Sequence, residues 1–249
     1  MRNIWIIAKR EYNHYFISPI AYVVGFMILL VIGIIFAVTI IYFMQNAFQM
    51  FGQAPEITQI TGAFGFLLVL TIPALTMRLL ADEARMGTLE LLLTAPVRDF
   101  ELVAGKWLGG FLFVLTILAI TLVYPLILNN LVTPGIDQKL VISSYLGVIL
   151  LAASFLALGV GISAVFTNQV AAFFMTLSTF VFLWWLVGFP AQIIQGPVSE
   201  VFRYLDLQTH FYDAFNRGNV YLTDLVYFFS LIALGLFTGT TAVEIRRWR

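Results

Sequence analysis

The sequence contains no cysteine, and charged residues make up only 10% of its 249 residues. The absence of cysteine excludes disulfides, thiolate metal ligands and thiol redox chemistry. Soluble domains carry about 25% charged residues, so these charges are too few to cover a soluble fold of this length. A hydrophobic content of 61% excludes a disordered chain, and a net charge of zero gives no electrostatic basis for binding nucleic acid. The composition therefore indicates a polytopic membrane protein.

Six long apolar segments contain no Asp, Glu, Lys, Arg or His in their cores. A helix needs about 20 apolar residues to cross the hydrocarbon core of a bilayer, and each segment is long enough. The first one is too long for a signal peptide and has no cleavage pattern after it, so we expect it to stay in the chain. The sequence predicts an all-α membrane protein with one transmembrane domain, residues 20–249, and spans at about 20–44, 57–77, 107–128, 140–166, 170–189 and 225–243.

The lack of ionisable residues in the predicted spans argues against several classes of membrane protein. Proton- and ion-coupled transporters keep such residues inside the membrane. An intramembrane protease with a Ser–His pair is excluded, because His14 and His210 fall outside the spans and on opposite sides. No G-x-x-x-x-G-K-[ST] loop is present, so the chain cannot bind ATP in that way. We predict no catalytic residue, no metal site and no cofactor in this chain.

Lys and Arg are distributed unevenly over the flanks of the spans. Ten of the 13 lie in the amino terminus, the 78–106 loop and the carboxyl terminus, and three lie in the opposite flanks. Because an excess of Lys and Arg marks cytoplasmic flanks, we expect both termini to be cytoplasmic.

Small residues recur four positions apart, a spacing that lets helix backbones approach closely. The pairs are Gly105 with Gly109, Ala157 with Gly161, and Gly235 with Gly239. We favour packing within the chain, and a subunit interface is the alternative. Pro73 and Pro125 lie near the ends of spans two and three, where we expect them to kink the helices.

Residues 1–19 form a candidate interfacial helix. Lys9 and Arg10 fall outside an apolar arc, and a helix with aromatic residues on one face and cations on the other lies along a membrane surface. The helix is either a plain anchor that fixes topology or a lever that rests on a cytoplasmic partner. The apolar arc contains Ile4, Trp5, Ala8, Tyr12, Tyr15 and Phe16.

The 78–106 loop holds nine of the 26 charged residues. Gly87 is expected to break the helix that continues from span two, and Thr88 to cap a short helix at about 89–94. Asp99 is expected to cap the helix that enters span three. The short helix either packs on the protein's own spans or docks into another protein, because it carries the apolar residues Leu89, Leu91, Leu92 and Leu93.

The predicted outer segment, residues 190–224, is too patterned for a plain loop. Pro197 suits the first turn of a helix, and an apolar stripe follows it to about Leu207. Thr209 can cap a second short helix, which Gly218 ends. The two helices form either a re-entrant hairpin that dips into the outer leaflet or a pair lying flat on the surface.

Two groups of residues resemble the ABC-2 type transporter permeases, which are membrane subunits of ATP-binding-cassette transporters. In the loop they are Glu83, Arg85, the Gly-Thr-Leu-Glu-Leu-Leu run at 87–92 and the Thr-Ala-Pro-Val run at 94–97. Near the carboxyl end they are His210, Phe211, Phe215, Gly218, Asp224, Tyr227, Phe228, Glu244 and the Arg-Arg-Trp run at 246–248. The second group is similar to the branch of gliding-motility-associated permease subunits.

The resemblance implies a permease of the plasma (inner) membrane that pairs with a second permease, identical or homologous, and with ATPase subunits that hold ATP and Mg²⁺. It implies that the 78–106 loop is a coupling element seated in a groove of the ATPase, with the interfacial helix supporting it. The coupling positions would be Glu83, Arg85, Gly87, Thr88, Leu89, Glu90, Leu91 and Leu92. The interfacial helix would contribute Trp5, Lys9, Arg10 and Glu11. The re-entrant segment would contain Pro197, Phe202, His210, Phe211, Phe215 and Gly218.

We therefore expect a chain that is not itself an enzyme, contacts lipids and no nucleic acid, and moves cargo with ATP hydrolysed by a separate subunit. Members of the branch often work with an auxiliary membrane protein that has an extracytoplasmic domain. One alternative is a structural, mechanotransmitting subunit driven by an ATPase without cargo flux. The other is a stand-alone channel.

Overall fold

Six long apolar helices make up most of the part of the chain that the structure describes. The structure, a computed structural model, describes residues 2–46, 57–88, 97–131, 135–194 and 196–247, and it contains no strand within these ranges. The six helices long and apolar enough to cross a membrane, called spans 1 to 6, are Pro19–Gln45, Thr58–Arg85, Asp99–Leu131, Gln138–Val165, Gln169–Ile193 and Leu222–Arg247. The predicted all-α, six-span architecture is confirmed.

Three of the spans are interrupted, and shorter helices lie outside them. An amino-terminal helix, Arg2–Tyr15, precedes span 1. Span 2 consists of Thr58–Thr76 and Ala81–Arg85, and span 3 consists of Asp99–Thr121 and Val123–Leu131. Span 5 consists of Gln169–Val181, a π-helical turn Phe182–Leu186 and Phe189–Ile193. The outer segment contains the helix Pro197–Leu205, a π-helix Thr209–Ala214 and a 3₁₀ turn Phe215–Arg217.

Span 4 is the central helix of the bundle. In an apolar stretch of 18 residues within span 4, 83% of the residues are buried, whereas the matching stretches of spans 1 and 6 are only 22% and 33% buried. Span 4 packs against spans 2, 3, 5 and 6. Spans 1 and 6 consequently leave most of their apolar surface for lipid or another subunit.

The small-residue pairs bring helices together within the chain, as predicted. Spans 4 and 6 cross at Gly161 and Gly235, where a Cβ on Gly161 would lie 2.6 Å from the Gly235 carbonyl oxygen. A Cβ on Gly235 would overlap the backbone of Ala157. Because backbone atoms cannot yield as a flexible side chain can, glycine is required at this crossing.

Span 3 is interrupted at Leu122, three residues before Pro125, near the position where the sequence predicts a kink. Proline has no amide hydrogen, so Pro125 cannot donate to the carbonyl of Thr121 one turn earlier. The hydroxyl of Tyr145 on span 4 donates to that carbonyl at 2.9 Å. Pro73 lies inside the helix Thr58–Thr76, near its end.

Two predicted helix caps are wrong. Asp99 is the first residue of its helix, because the extended residue before the helix is Arg98, whose backbone N–H donates to the Glu101 carboxylate at 3.2 Å. Thr209 lies inside a π-helix, and its hydroxyl donates to the Asp206 carboxylate at 2.8 Å instead of capping a new helix.

Both chain ends meet the start of span 3. The Asn3 amide donates to the Glu101 carboxylate at 3.0 Å, and Arg247 forms an ion pair with Asp99 at 2.6 Å. We call this side of the molecule the terminal face.

Candidate functional site

A buried ion cluster at the terminal face joins three parts of the chain. The Lys106 ammonium on span 3 lies 3.0 Å from the Glu11 carboxylate of the amino-terminal helix and 2.8 Å from the Glu83 carboxylate at the end of span 2. Arg10 completes the cluster, 3.2 Å from Glu11 and 3.7 Å from Glu83. Lys106 is 1% exposed, and its charge is tolerated there because two carboxylates share it.

Lys106 comes just before the span predicted at 107–128, and the structure places it in the same helix, Asp99–Thr121, where it is buried. Asp224 comes just before the span predicted at 225–243, and it is buried in the first turn of the helix Leu222–Arg247. Hydropathy could not show that either charge is buried, because each is paired with a residue that only the fold brings near.

Glycines on both sides of Lys106 let the amino-terminal helix approach span 3. A Cβ on Gly105 would lie 2.7 Å from Ile7 Cβ, and a Cβ on Gly109 would lie 2.6 Å from Glu11 Cβ. The Gly105 and Gly109 spacing read from the sequence as a packing motif therefore brings Glu11 within reach of Lys106. The prediction that such pairs act within the chain is confirmed here too.

Glu11 is held in its charged form by this arrangement. Burial by itself would raise the pKa of the Glu11 carboxyl, but Lys106 and then Arg10 outweigh burial, so its pKa lies below the ordinary value of 4.5. Glu11 therefore stays negative and bridges the amino-terminal helix to span 3 throughout the neutral range.

The amino-terminal helix packs on span 3 with a face that differs from the predicted apolar arc. Ala8, Glu11 and Tyr15 are buried, whereas Trp5 is 57% exposed and Lys9 is exposed. The difference arises because the Glu11 ion pair, and not only apolar area, orients the helix. Trp5 and Lys9 remain available to a membrane surface or a partner, and the interfacial role of this helix stays a prediction.

The first part of the predicted coupling loop is tied to the bundle. The Ser163 hydroxyl on span 4 accepts from the backbone N–H groups of Leu80 and Ala81 at 3.2 and 3.1 Å. Asp82 forms an ion pair with Arg85 at 3.1 Å and accepts from the amide of Gln169 on span 5. The chain that leads to the coupling positions is thus anchored to spans 4 and 5.

Gly87 ends this anchored stretch. Its φ of +72° is in the left-handed region, which confirms that it terminates the helix after Arg85. The Thr88 hydroxyl donates back to the Glu83 carbonyl at 3.3 Å. Leu89, Glu90, Leu91 and Leu92, with the helix predicted at about 89–94, lie outside the described residues.

The outer segment packs its second half into the bundle. A Cβ on Gly65 of span 2 would lie 2.7 Å from Phe211 Cε1, and a Cβ on Gly147 of span 4 would lie 2.5 Å from Phe215 Cβ. Glycine on each span therefore makes space for a buried phenylalanine. Gly218, at a φ of +85°, ends the segment.

The first half of the outer segment lies at the surface. Pro197 is exposed, Phe202 is half-buried, and no residue of the helix Pro197–Leu205 is buried. Its apolar stripe therefore faces away from the bundle. Whether the segment is re-entrant in a membrane stays a prediction.

His210 links the two halves of the outer segment to each other and to span 6 through hydrogen bonds. Its Nε2 lies 2.7 Å from the Tyr204 carbonyl oxygen, and its Nδ1 lies 2.7 Å from the Asp224 carboxylate. A carbonyl can only accept, so Nε2 is a donor. The Tyr227 hydroxyl donates to the Leu205 carbonyl at 2.9 Å, so side chains satisfy two of the orphan carbonyls that end the helix Pro197–Leu205.

A family model described as "ABC-2 family transporter protein" matches residues 5–234. The chain belongs to this family. It is therefore an integral membrane protein and, as an ABC-2 permease, a transmembrane component of an ABC transporter and not its ATPase. Membership implies an ABC ATPase partner and a membrane partner for this ABC-2 protein. No curated protein matches the chain.

Proposed function

We propose that this ABC-2 protein moves cargo across the plasma membrane, driven by ATP and Mg²⁺ on a separate ATPase subunit, with its terminal face in the cytoplasm. Family membership supports the transport role, and the ten Lys and Arg residues in the flanks of that face support the orientation. The proposed coupling residues are Glu83, Arg85, Gly87, Thr88, Leu89, Glu90, Leu91 and Leu92.

The Lys106 ion cluster is the observation that carries the coupling proposal. Glu83 lies four residues before Gly87, and Lys106 holds it at 2.8 Å while holding Glu11 at 3.0 Å. A movement of the segment after Gly87 would therefore pull on span 3 and the amino-terminal helix together. ATPase closure would reach the membrane through this cluster.

The remaining partners follow from exposed surface and resemblance. Span 1 is only 22% buried along its apolar stretch, so it offers a surface for a second permease. That permease would be a second copy of this chain or a homologue. Resemblance to the gliding-motility branch supports an auxiliary protein with an extracytoplasmic domain. The charge-poor spans favour a lipid-like or amphipathic cargo.

Two variants separate binding of the ATPase from transmission. Glu90→Arg combined with Leu91→Asp should lower co-purification of the ATPase about tenfold or more. The first substitution reverses a charge at the proposed contact, and the second places a carboxylate where an apolar side chain is proposed to be buried. Glu83→Gln should retain co-purification but lower coupled ATPase activity and cargo flux. The matched control is Glu200→Gln on the exposed outer helix, which should change neither.

Other outcomes point elsewhere. Unchanged co-purification and activity in the Glu90→Arg, Leu91→Asp variant would show that the coupling assignment is wrong. Coupled ATPase activity without flux in proteoliposomes would support a mechanotransmitting subunit. Flux without ATP or a partner would support a channel.

A further inference from the structure

A cavity of about 530 Å³ lies at the terminal face, between the amino-terminal helix, the start of span 1 and the end of span 2. Ligand sites commonly measure about 300–1,000 Å³. One wall of the cavity is apolar and is formed by Ile17, Ile20, Ala74, Leu75 and Leu79. The polar side includes Arg78, Ser18 and His14 together with the ion cluster.

Among the described residues, three cations (Arg10, Arg78 and Lys106) and three carboxylates (Glu11, Asp82 and Glu83) line this cavity, but their ion pairs leave one of the cations over. The Glu11 and Glu83 carboxylates share Lys106 and Arg10, and the Asp82 carboxylate pairs with Arg85 at 3.1 Å. The remaining cation of the lining is Arg78, and no described carboxylate forms an ion pair with it. Its Nη2 donates to the Ser18 hydroxyl at 3.1 Å, so the half-buried guanidinium keeps most of its donors for another group.

Arg78 lies beside the start of one apolar helix and just beyond the end of another, the level at which we expect the membrane boundary. Ser18, its hydrogen-bond partner, immediately precedes Pro19, where span 1 begins, and Arg78 follows the helix Thr58–Thr76 by two residues. Basic pockets between membrane helices at this level bind lipid head groups. A guanidinium suits phosphate because its planar fork donates two parallel hydrogen bonds.

We propose that this cavity binds the phosphate of an anionic phospholipid. Arg78 neutralises the phosphate, Ser18 adds a hydroxyl beside it, and the apolar wall from Ile17 to Leu79 contacts the first carbons of the acyl chains. The site needs only the membrane placement of spans 1 and 2, and it is independent of transport and of which face is cytoplasmic. An acidic side chain of a partner protein is the other chemistry that could meet Arg78, but the apolar wall favours a lipid.

Lipid binding to the purified, delipidated complex tests the proposal. Native mass spectrometry would follow retained lipid during titration with phosphatidylglycerol, phosphatidylcholine or soluble glycerol phosphate. We expect phosphatidylglycerol to bind most tightly, and Arg78→Gln to weaken it about tenfold or more, as expected for loss of a charge-assisted contact. Arg78→Lys, which keeps the charge, should retain part of the affinity.

Arg98→Gln is the matched control, because Arg98 is exposed on the same face and does not line the cavity. The proposal is overturned if Arg98→Gln and Arg78→Gln weaken binding equally, since general surface charge would then explain it. It is also overturned if glycerol phosphate competes as well as the lipid, or if Arg78→Gln lowers only ATPase co-purification. If Arg78→Gln fails to fold, equal affinity of phosphatidylglycerol and phosphatidylcholine for the unaltered protein would contradict the proposal.

Discussion

At the scale of single residues, one ammonium group organises the terminal face. Lys106 is buried, and both of its carboxylate partners come from parts of the chain far away in sequence, Glu11 and Glu83. Burying a lysine costs free energy unless it is paired, and removing one partner of a buried pair leaves an uncompensated charge. The stability of this region should therefore depend on each carboxylate.

Replacing Glu11 with Gln should lower the free energy of unfolding by about 2 kcal/mol at neutral pH, since it removes a charge-assisted hydrogen bond. The effect should depend on pH. Because the pKa of Glu11 is lowered in the folded protein, its contribution to stability is complete above the ordinary carboxyl pKa of 4.5 and is lost progressively as pH falls from there through the lowered pKa of the folded protein. Thermal unfolding of the unaltered protein and of Glu11→Gln measures their difference in stability, which should be smaller at pH 4 than at pH 7.

Glu244→Gln is the control for this measurement, because Glu244 is exposed. It should behave like the unaltered protein at both pH values. If the difference in stability between the unaltered protein and Glu11→Gln is the same at pH 7 and pH 4, Glu11 stabilises the fold through packing and not through its charge.

At the scale of secondary-structure elements, a break in one span is supported by a side chain from another. Pro125 leaves the Thr121 carbonyl without its usual donor, and Tyr145 on span 4 supplies one at 2.9 Å. The sequence indicated a disturbance near Pro125, because proline lacks the amide hydrogen that a helix uses. It could not indicate the tyrosine, which depends on how spans 3 and 4 face each other.

A double-mutant cycle should reveal this coupling. Tyr145→Phe alone should cost about 1–3 kcal/mol of stability, because a buried carbonyl loses its donor. Pro125→Ala restores an amide hydrogen one turn after Thr121, so Tyr145→Phe should cost less in that background. Equal costs of Tyr145→Phe in both backgrounds, measured by unfolding in detergent, would contradict the proposed role of the hydroxyl.

At the scale of the whole molecule, the all-α class and the six long apolar helices could be predicted from the sequence. Each span is long and apolar, and this property is local. The partners of Lys106 and Asp224 could not be predicted, because each ion pair joins residues that only the fold brings together. The charges and helix signals of the 78–106 loop and the outer segment singled them out, and a resemblance suggested their roles, but neither indicated what their residues contact.

The orientation of the whole protein can be tested because the chain has no cysteine. In the variant Lys9→Cys, the single cysteine should react with a membrane-impermeant maleimide only after the cells are permeabilised. A cysteine at Asn219, beyond Gly218 at the end of the outer segment, should react in intact cells. The cysteine-free protein is the background control, and the reverse pattern would show that the proposed orientation is wrong.

The central position of span 4 has a consequence for the order of synthesis. A chain folds as it emerges, amino terminus first, so spans 2 and 3 enter the membrane before span 4, the helix against which they pack, exists. Glu11, Glu83 and Lys106 all precede span 4, so the buried lysine can be neutralised while the apolar core is still open. The core closes only when span 6 brings Gly235 against Gly161, so the bundle is completed after the other five spans have been made.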